Sequence, residues 1–148
     1  MKLYYSPGAC SLAPHIVLNE LGQSYDLEKV DLRAKKTESG ADFTAVNAKG
    51  QVPTLDLGKG VILTEVSTIL QYLADKAKDS GLIPAFGTME RYRAMETLNF
   101  VASDLHKGIG GLFNPAMPED GKKAIIAYLD RVGARPAVQA ALKKEGLA

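Results

Sequence analysis

Cys10 is the residue with the most chemical promise, set between the short apolar run Leu3-Tyr4-Tyr5 and the start of a helix. Free backbone N–H groups and the positive end of a helix dipole would stabilise a thiolate there. A small buried sulfur with no chemistry is the competing reading, and the commoner fate of an unpaired cysteine. Cys10 is the one cysteine of the chain, which excludes an intrachain disulfide, a CxxC redox pair and a thiolate-only metal site. His15 and His106 are the two histidines, too distant in sequence to form a zinc motif with it, so no metal is expected. His15 reads as a structural histidine inside the first helix.

Further candidates sit at boundaries between elements. A cis Val52–Pro53 bond would turn the Val52 backbone outward, free to pair with an extended peptide ligand. An edge-strand proline in trans is the alternative, and residue statistics favour it, since cis is about 5–6% of X–Pro bonds. Glu65 and Val66 precede a helix, where the carboxylate could receive a ligand ammonium and the helix-start N–H groups a ligand carboxylate. The plainer alternative is an acid near a helix N-terminus. Asn99, Ser103 and His106 are spaced by four and three and share a helix face, with Asp104 and Lys107 beside them. That face could line a cleft, and solvation explains it equally well.

Those positions depend on an alternation of short strands and helices. Residues 3–5 read as a strand ended by Ser6-Pro7-Gly8. Ser11 is placed to cap a helix from Leu12, with Pro14 in the first turn, Gly22 at the end, and Leu12, Ile16 and Val17 inward. Residues 25–30 read as a second strand, parallel to the first because the helix fits the crossover. Residues 33–51 lack a sustained period and read as an irregular helical connection. Val52-Pro53-Thr54-Leu55-Asp56-Leu57, Gly58-Lys59-Gly60 and Val61-Ile62-Leu63-Thr64 form the clearest hairpin. A helix with Ile69, Leu70, Leu73 and Ala74 on one face follows.

The expected division is an α/β unit over 1–78, a Gly- and Pro-bearing linker over 79–87, and a helical unit over 88–148. Thr88 is placed to cap a long helix with Tyr92, Met95, Val101, Ala102 and Leu105 on one face, fraying at Gly108, Gly110 and Gly111. A second helix, 119–132, would turn Ile125, Tyr128, Leu129 and Val132 inward, and Pro136 opens a last one. With few large apolar residues, these helices are expected to lean on the α/β unit or on another subunit.

Composition narrows the classes of function. The 148 residues are 46% hydrophobic, enough for one domain or two small units sharing a core. Eighteen Lys and Arg against 17 Asp and Glu leave a net charge of +1, so neither nucleic acid nor an anionic membrane is an expected partner. No run of 18 apolar residues is long enough for a membrane span, and the N-terminal run is too short for a signal peptide. A cytoplasmic setting is expected.

Several of these stretches together resemble the bacterial beta-class cytosolic glutathione transferases. They are Tyr4-Tyr5-Ser6-Pro7-Gly8-Ala9-Cys10-Ser11-Leu12, Gly50-Gln51-Val52-Pro53, Leu63-Thr64-Glu65, Leu98-Asn99-Phe100 through Asp104-Leu105-His106-Lys107, and Ala134-Arg135-Pro136-Ala137-Val138 through Glu145-Gly146-Leu147. The resemblance implies an α/β thioredoxin-like N-terminal domain, an all-α C-terminal domain and a homodimer that conjugates glutathione, as cosubstrate, to small hydrophobic electrophiles. Carried onto this chain, it implies that Cys10 contacts the glutathione sulfur and that Val52, before a cis Pro53, pairs with the cysteinyl residue. Ala9 and Gln51 would border the ligand, Glu65 and Val66 would hold its γ-glutamyl end, and Lys35 its glycyl end. His106 would serve the sulfur and electrophile side, while Asn99, Ser103 and Asp104 would lie near the cleft or reach across the dimer. Two departures stand out. Val66 replaces the Ser or Gly usual after the Glu, and after Leu112-Phe113-Asn114-Pro115 the chain has only one helix before the tail. The helical domain is thus shortened relative to the family. The same fold and cysteine also suit a glutathione-dependent thiol–disulfide reductase, and the cleft alone would suit a non-catalytic binding protein.

Overall fold

The computed structural model describes residues 1–77, 80–106 and 119–147. Five strands form one mixed sheet: β1 (Lys2–Tyr5), β2 (Asp26–Asp31), β3 (Lys36–Thr37), β4 (Thr54–Asp56) and β5 (Ile62–Thr64). Their spatial order is β3-β2-β1-β4-β5. β1 pairs with β2 in parallel, Leu3 opposite Leu27, because α1 (Leu12–Glu20) carries the chain back across the sheet. Every other pair is antiparallel, including the β4–β5 hairpin with Leu55 opposite Leu63. The expected irregular connection over 33–51 therefore contains a two-residue strand, β3, and a 3₁₀ turn, Phe43–Ala45. Both are too short to show a period in sequence.

β1 divides the core by the strand's alternation of faces. Leu3 packs with Leu18, Leu55, Ile69 and Leu73 under α1 and α2 (Val66–Lys76). Tyr4 points the other way, onto Val30, Phe43 and Val52. Burial of each large apolar side chain stabilises the fold by about 1.5–3 kcal/mol. The expected inward face of α1 needs correction. Pro14, His15 and Leu18 are the buried residues, while Leu12 and Ile16 are half-buried beside a cleft. Ser11 does not cap α1 through its side chain either. It is buried, and its hydroxyl accepts from the Ser6 N–H and donates to the Ser6 carbonyl, each at 3.2 Å. Competition from Ser6 keeps the hydroxyl in the turn.

The remaining helices are α3 (Met89–Phe100), extended by a π turn over Val101–Leu105, α4 (Glu119–Gly133) and α5 (Pro136–Glu145). Thr88 caps α3, its side chain accepting from the Arg91 N–H. The expected fraying at Gly108, Gly110 and Gly111 lies outside the described residues, as does Lys107. α5 is fastened to α1 by a fully buried contact of 2.7 Å between His15 Nδ1 and Glu145 Oε1. Lys144 adds a hydrogen bond to the Tyr25 hydroxyl at 2.8 Å. The apolar faces of α3 and α4 are less well covered. Tyr92, Val101 and Leu105 are exposed, and so are Tyr128 and Leu129, contrary to the inward face expected of them. Helical periodicity shows which face is apolar but not whether another element covers it. The architecture is a thioredoxin-like α/β domain followed by an all-α region.

α3 is tied to α2 by Arg91, whose guanidinium makes two parallel bonds to Asp75, at 2.7 and 2.8 Å, and a third to Gln71 at 3.2 Å. Arg91 is buried, and its hydrogen bonds hold the Asp75 carboxyl below the usual carboxylate range. A lowered folded pKa contributes stability that is complete above the unfolded value and is lost as pH falls through the folded one. Asp75→Asn is therefore expected to lower the urea midpoint at neutral pH. The deficit against the unaltered chain should narrow as pH falls towards about 3, below the ordinary carboxylate range.

Candidate functional site

A cleft of about 790 Å³ opens between the N-terminus of α1, the segment leading into β4, the N-terminus of α2 and the end of α3. Its polar floor begins with a buried knot at Asn47. The Asn47 amide donates to the Gln51 carbonyl and to Thr54 Oγ1, both at 2.9 Å. Thr54 Oγ1 itself donates to the Gln51 carbonyl at 3.0 Å, and Asn47 Oδ1 accepts from the Lys49 N–H at 3.1 Å. Buried amides and hydroxyls need such partners, and here meeting that need sets the course of residues 47–54. The sequence reading passed over Asn47, although Asn three residues before Gly is a plausible turn former.

The knot delivers Val52 to the cleft. The Val52–Pro53 bond is cis, as the family resemblance implied and residue statistics did not. Cys10 lies across from it, its Sγ donating to the Val52 carbonyl at 3.3 Å. The Cys10 and Ser11 N–H groups face the sulfur and favour its thiolate, but burial outweighs them and pushes the thiol up from its ordinary range. Glu65 adds to that rise. Of the two readings that the sequence left open for Cys10, this balance favours the desolvated sulfur: burial exceeds the pull of the two N–H groups.

Two charged poles flank this centre. Lys35 adopts φ +55°, and its ammonium donates to the Gly50 carbonyl at 2.9 Å. Gly50 has φ +59°, which favours glycine, and a Cβ there would sit 3.1–3.3 Å from the Lys35 chain, close enough to press on it. On the other side Glu65 has φ +71°, a conformation rarely adopted by a residue with a side chain, just ahead of α2. Its carboxylate meets Lys49 Nζ at 2.6 Å.

Ala9, Cys10, Lys35, Gln51, Val52, Pro53, Glu65, Val66 and His106 all line the cleft. Asn99, Ser103 and Asp104 are exposed and are not among its lining residues. The face turned to the cleft carries Leu98, Val101, Ala102 and His106, so His106 follows the four-residue spacing from Leu98 and Ala102. Asn99 and Ser103 stand one step round the helix, where the Ser103 hydroxyl donates to the Asn99 carbonyl and to the Asp104 carboxylate. Lys49, Asn47 and the apolar wall of Leu12, Ile16 and Leu70 are additions the sequence reading missed. Among the described residues no cluster of His, Cys, Asp and Glu could hold a metal ion. Nor is any helix among them long and apolar enough to cross a membrane.

The chain is similar to known proteins in sequence and fold. The family described as Glutathione S-transferase, N-terminal domain, matches residues 8–76. A crystal structure of a glutathione transferase from Methylococcus capsulatus str. Bath is 44% identical, with a TM-score of 0.87 and 99% of both chains covered. The chain belongs to the glutathione S-transferase family. A sphingomonad glutathione S-transferase complexed with glutathione is 38% identical at a TM-score of 0.86, with both chains covered in full. Glutathione S-transferase GstA of Escherichia coli O157:H7 is 49% identical over 131 residues, covering 88% of this chain and 65% of that protein. Glutathione S-transferase GST-4.5 of Xanthomonas campestris is 38% identical, with 53% of its length covered. This transferase-family chain thus spans between half and two thirds of the length of these two curated relatives.

The raised Cys10 thiol has a measurable consequence. The rate of its alkylation by iodoacetamide, which follows the thiolate fraction, is expected to rise with pH to a midpoint above the ordinary cysteine value of about 8.5. A midpoint below that value would contradict the burial argument.

Proposed function

We propose that the chain binds reduced glutathione in this cleft and transfers it to small hydrophobic electrophiles. The observation that carries the reading is the juxtaposition in one cleft of the Val52 backbone, two charged poles and an apolar wall. An extended tripeptide with charged ends and a central thiol needs those three features. Lys35 would take the glycyl carboxylate, Glu65 the γ-glutamyl ammonium and Val52 the cysteinyl backbone. Leu98, Val101 and Ala102 would then offer an apolar seat beside the thiol, with His106 at its margin.

The chemistry asked of the protein is modest. A glutathione thiolate attacks the electrophilic carbon, forming a carbon–sulfur bond, and the electron pair passes to a leaving group or into a polarised double bond. The cleft contributes alignment and hydrogen bonds to the thiolate. Cys10 is protonated in the neutral range because burial raises its pKa, so it would act as an S–H donor to the glutathione sulfur, exchanging its present acceptor, the Val52 carbonyl. That role favours conjugation over a reductase, in which Cys10 would be the thiolate nucleophile. Asn99, Ser103 and Asp104 keep a proposed role only across a homodimer, which the exposed apolar side chains of α3 and α4 support. A cytoplasmic setting and the division 1–78, 79–87 and 88–148 belong to the same proposal.

Steady-state assays test it. With saturating glutathione and an activated aryl halide, the chain should exceed the solution rate. Cys10→Ala should stay within about tenfold of it, since one weak S–H donor is worth about 1 kcal/mol. Loss of all conjugation in Cys10→Ala, together with loss of disulfide reduction, would favour the reductase. Tight binding without turnover would favour a carrier.

A further inference from the structure

The Lys49 ammonium reaches Glu65 at the rim of the cleft. Its position is built rather than incidental. The backbone N–H of Lys49 is fixed by the buried Asn47 side chain, and its ammonium lies 2.6 Å from Glu65 Oε1 and 3.3 Å from Thr64 Oγ1. Glu65 is held in an unusual backbone conformation at the cleft rim, at φ +71°. Lys49 and Glu65 both line the cleft, and their side chains are 52% and 64% exposed. An ion pair so exposed is worth little to stability and rearranges readily.

Resting on the reading that the cleft takes glutathione, we propose that Lys49 is a specificity-determining residue that binds the α-carboxylate of the γ-glutamyl end. That end of the tripeptide bears an ammonium and a carboxylate on one carbon. A neighbouring Glu–Lys pair presents each with the opposite charge. On binding, one solvated protein ion pair is exchanged for two, each ligand charge meeting its counterpart. The neighbour of Glu65 is Val66, whose side chain offers no donor to the carboxylate, so beside the N–H groups and the Ser67 hydroxyl at the start of α2 an ammonium from the 47–50 turn supplies the full positive charge. Recognition of both charges would restrict the site to peptides with a free amino-acid end. A peptide lacking either charge would leave one member of the pair without its ligand partner.

Calorimetric titration of the purified chain with two peptides tests this. One is glutathione, and the other is γ-aminobutyryl-Cys-Gly, which lacks the α-carboxylate. Lys49→Gln should weaken glutathione binding about five- to tenfold, the scale of one partly screened charge-assisted contact. It should leave the second peptide within about twofold, while Lys49→Arg should restore glutathione affinity. Tighter glutathione binding by Lys49→Gln would overturn the proposal, because Lys49 would then be competing with the ligand ammonium for Glu65. So would an equal loss for both peptides, or no loss for either. Failure of the unaltered chain to bind glutathione at all would instead reject the glutathione reading on which this one stands.

Discussion

The cleft depends on a buried side-chain amide. Asn47 joins the end of the 3₁₀ turn to the Gln51 carbonyl and the Thr54 hydroxyl, and with its own oxygen holds the Lys49 N–H. Those bonds fix a stretch that has no sheet ladder of its own, and that stretch carries Lys49, Gly50, Gln51 and Val52. Removing one partner from such a buried set leaves the others unsatisfied, at about 1–3 kcal/mol. The knot sits where β1 and β4 pair, so the floor of the site inherits the rigidity of the sheet centre. A loop held only by solvent-exposed contacts could not keep Val52 opposite Cys10.

Around that floor the charges and apolar surfaces come from different elements, and each is anchored separately. Lys35 is turned in by a positive-φ backbone and a glycine that leaves room for its chain. Glu65 is turned in by the chain's entry into α2. The apolar wall belongs to α1, α2 and α3, and α3 keeps its place against α2 through the ion pair of buried Arg91 with Asp75. Links between the α/β layer and the helices therefore include Arg91 with Asp75 near α2, and His15 with Glu145 and Tyr25 with Lys144 behind α1. None of these anchoring residues lines the cleft, which stays open to a peptide.

Much of this was legible in the residues. Alternation in 52–64 showed the hairpin, and the strand–helix–strand spacing at the N-terminus showed the parallel pair. Thr88 was readable as a cap, and its hydroxyl donates to the Ala85 carbonyl while still accepting from the Arg91 N–H. Ser11 looked the same in sequence, yet Ser6 took its hydroxyl, a contact decided by the path of the turn. Resemblance to a family brought together Lys35, Val52, Glu65 and His106, which no single period connects. It did not bring in Lys49 or Asn47, whose roles follow from side-chain geometry. The apolar faces of α3 and α4 were visible as stripes, while their exposure depends on which other elements pack there. Cys10 stayed open between a stabilised thiolate and a small buried sulfur, because the dipole and N–H groups can be inferred from position, whereas the opposing desolvation depends on the finished packing.

The central claim is that the Val52 backbone offers itself to an extended thiol peptide above the start of α1. A crystal structure of the chain with reduced glutathione measures this directly. The cysteinyl N–H and C=O are expected to pair with the Val52 backbone, the thiol to lie within hydrogen-bond reach of Cys10, and the γ-glutamyl end to rest at Glu65. Glutathione bound elsewhere on the chain, with the Val52 backbone unpaired in a fully loaded crystal, would contradict it.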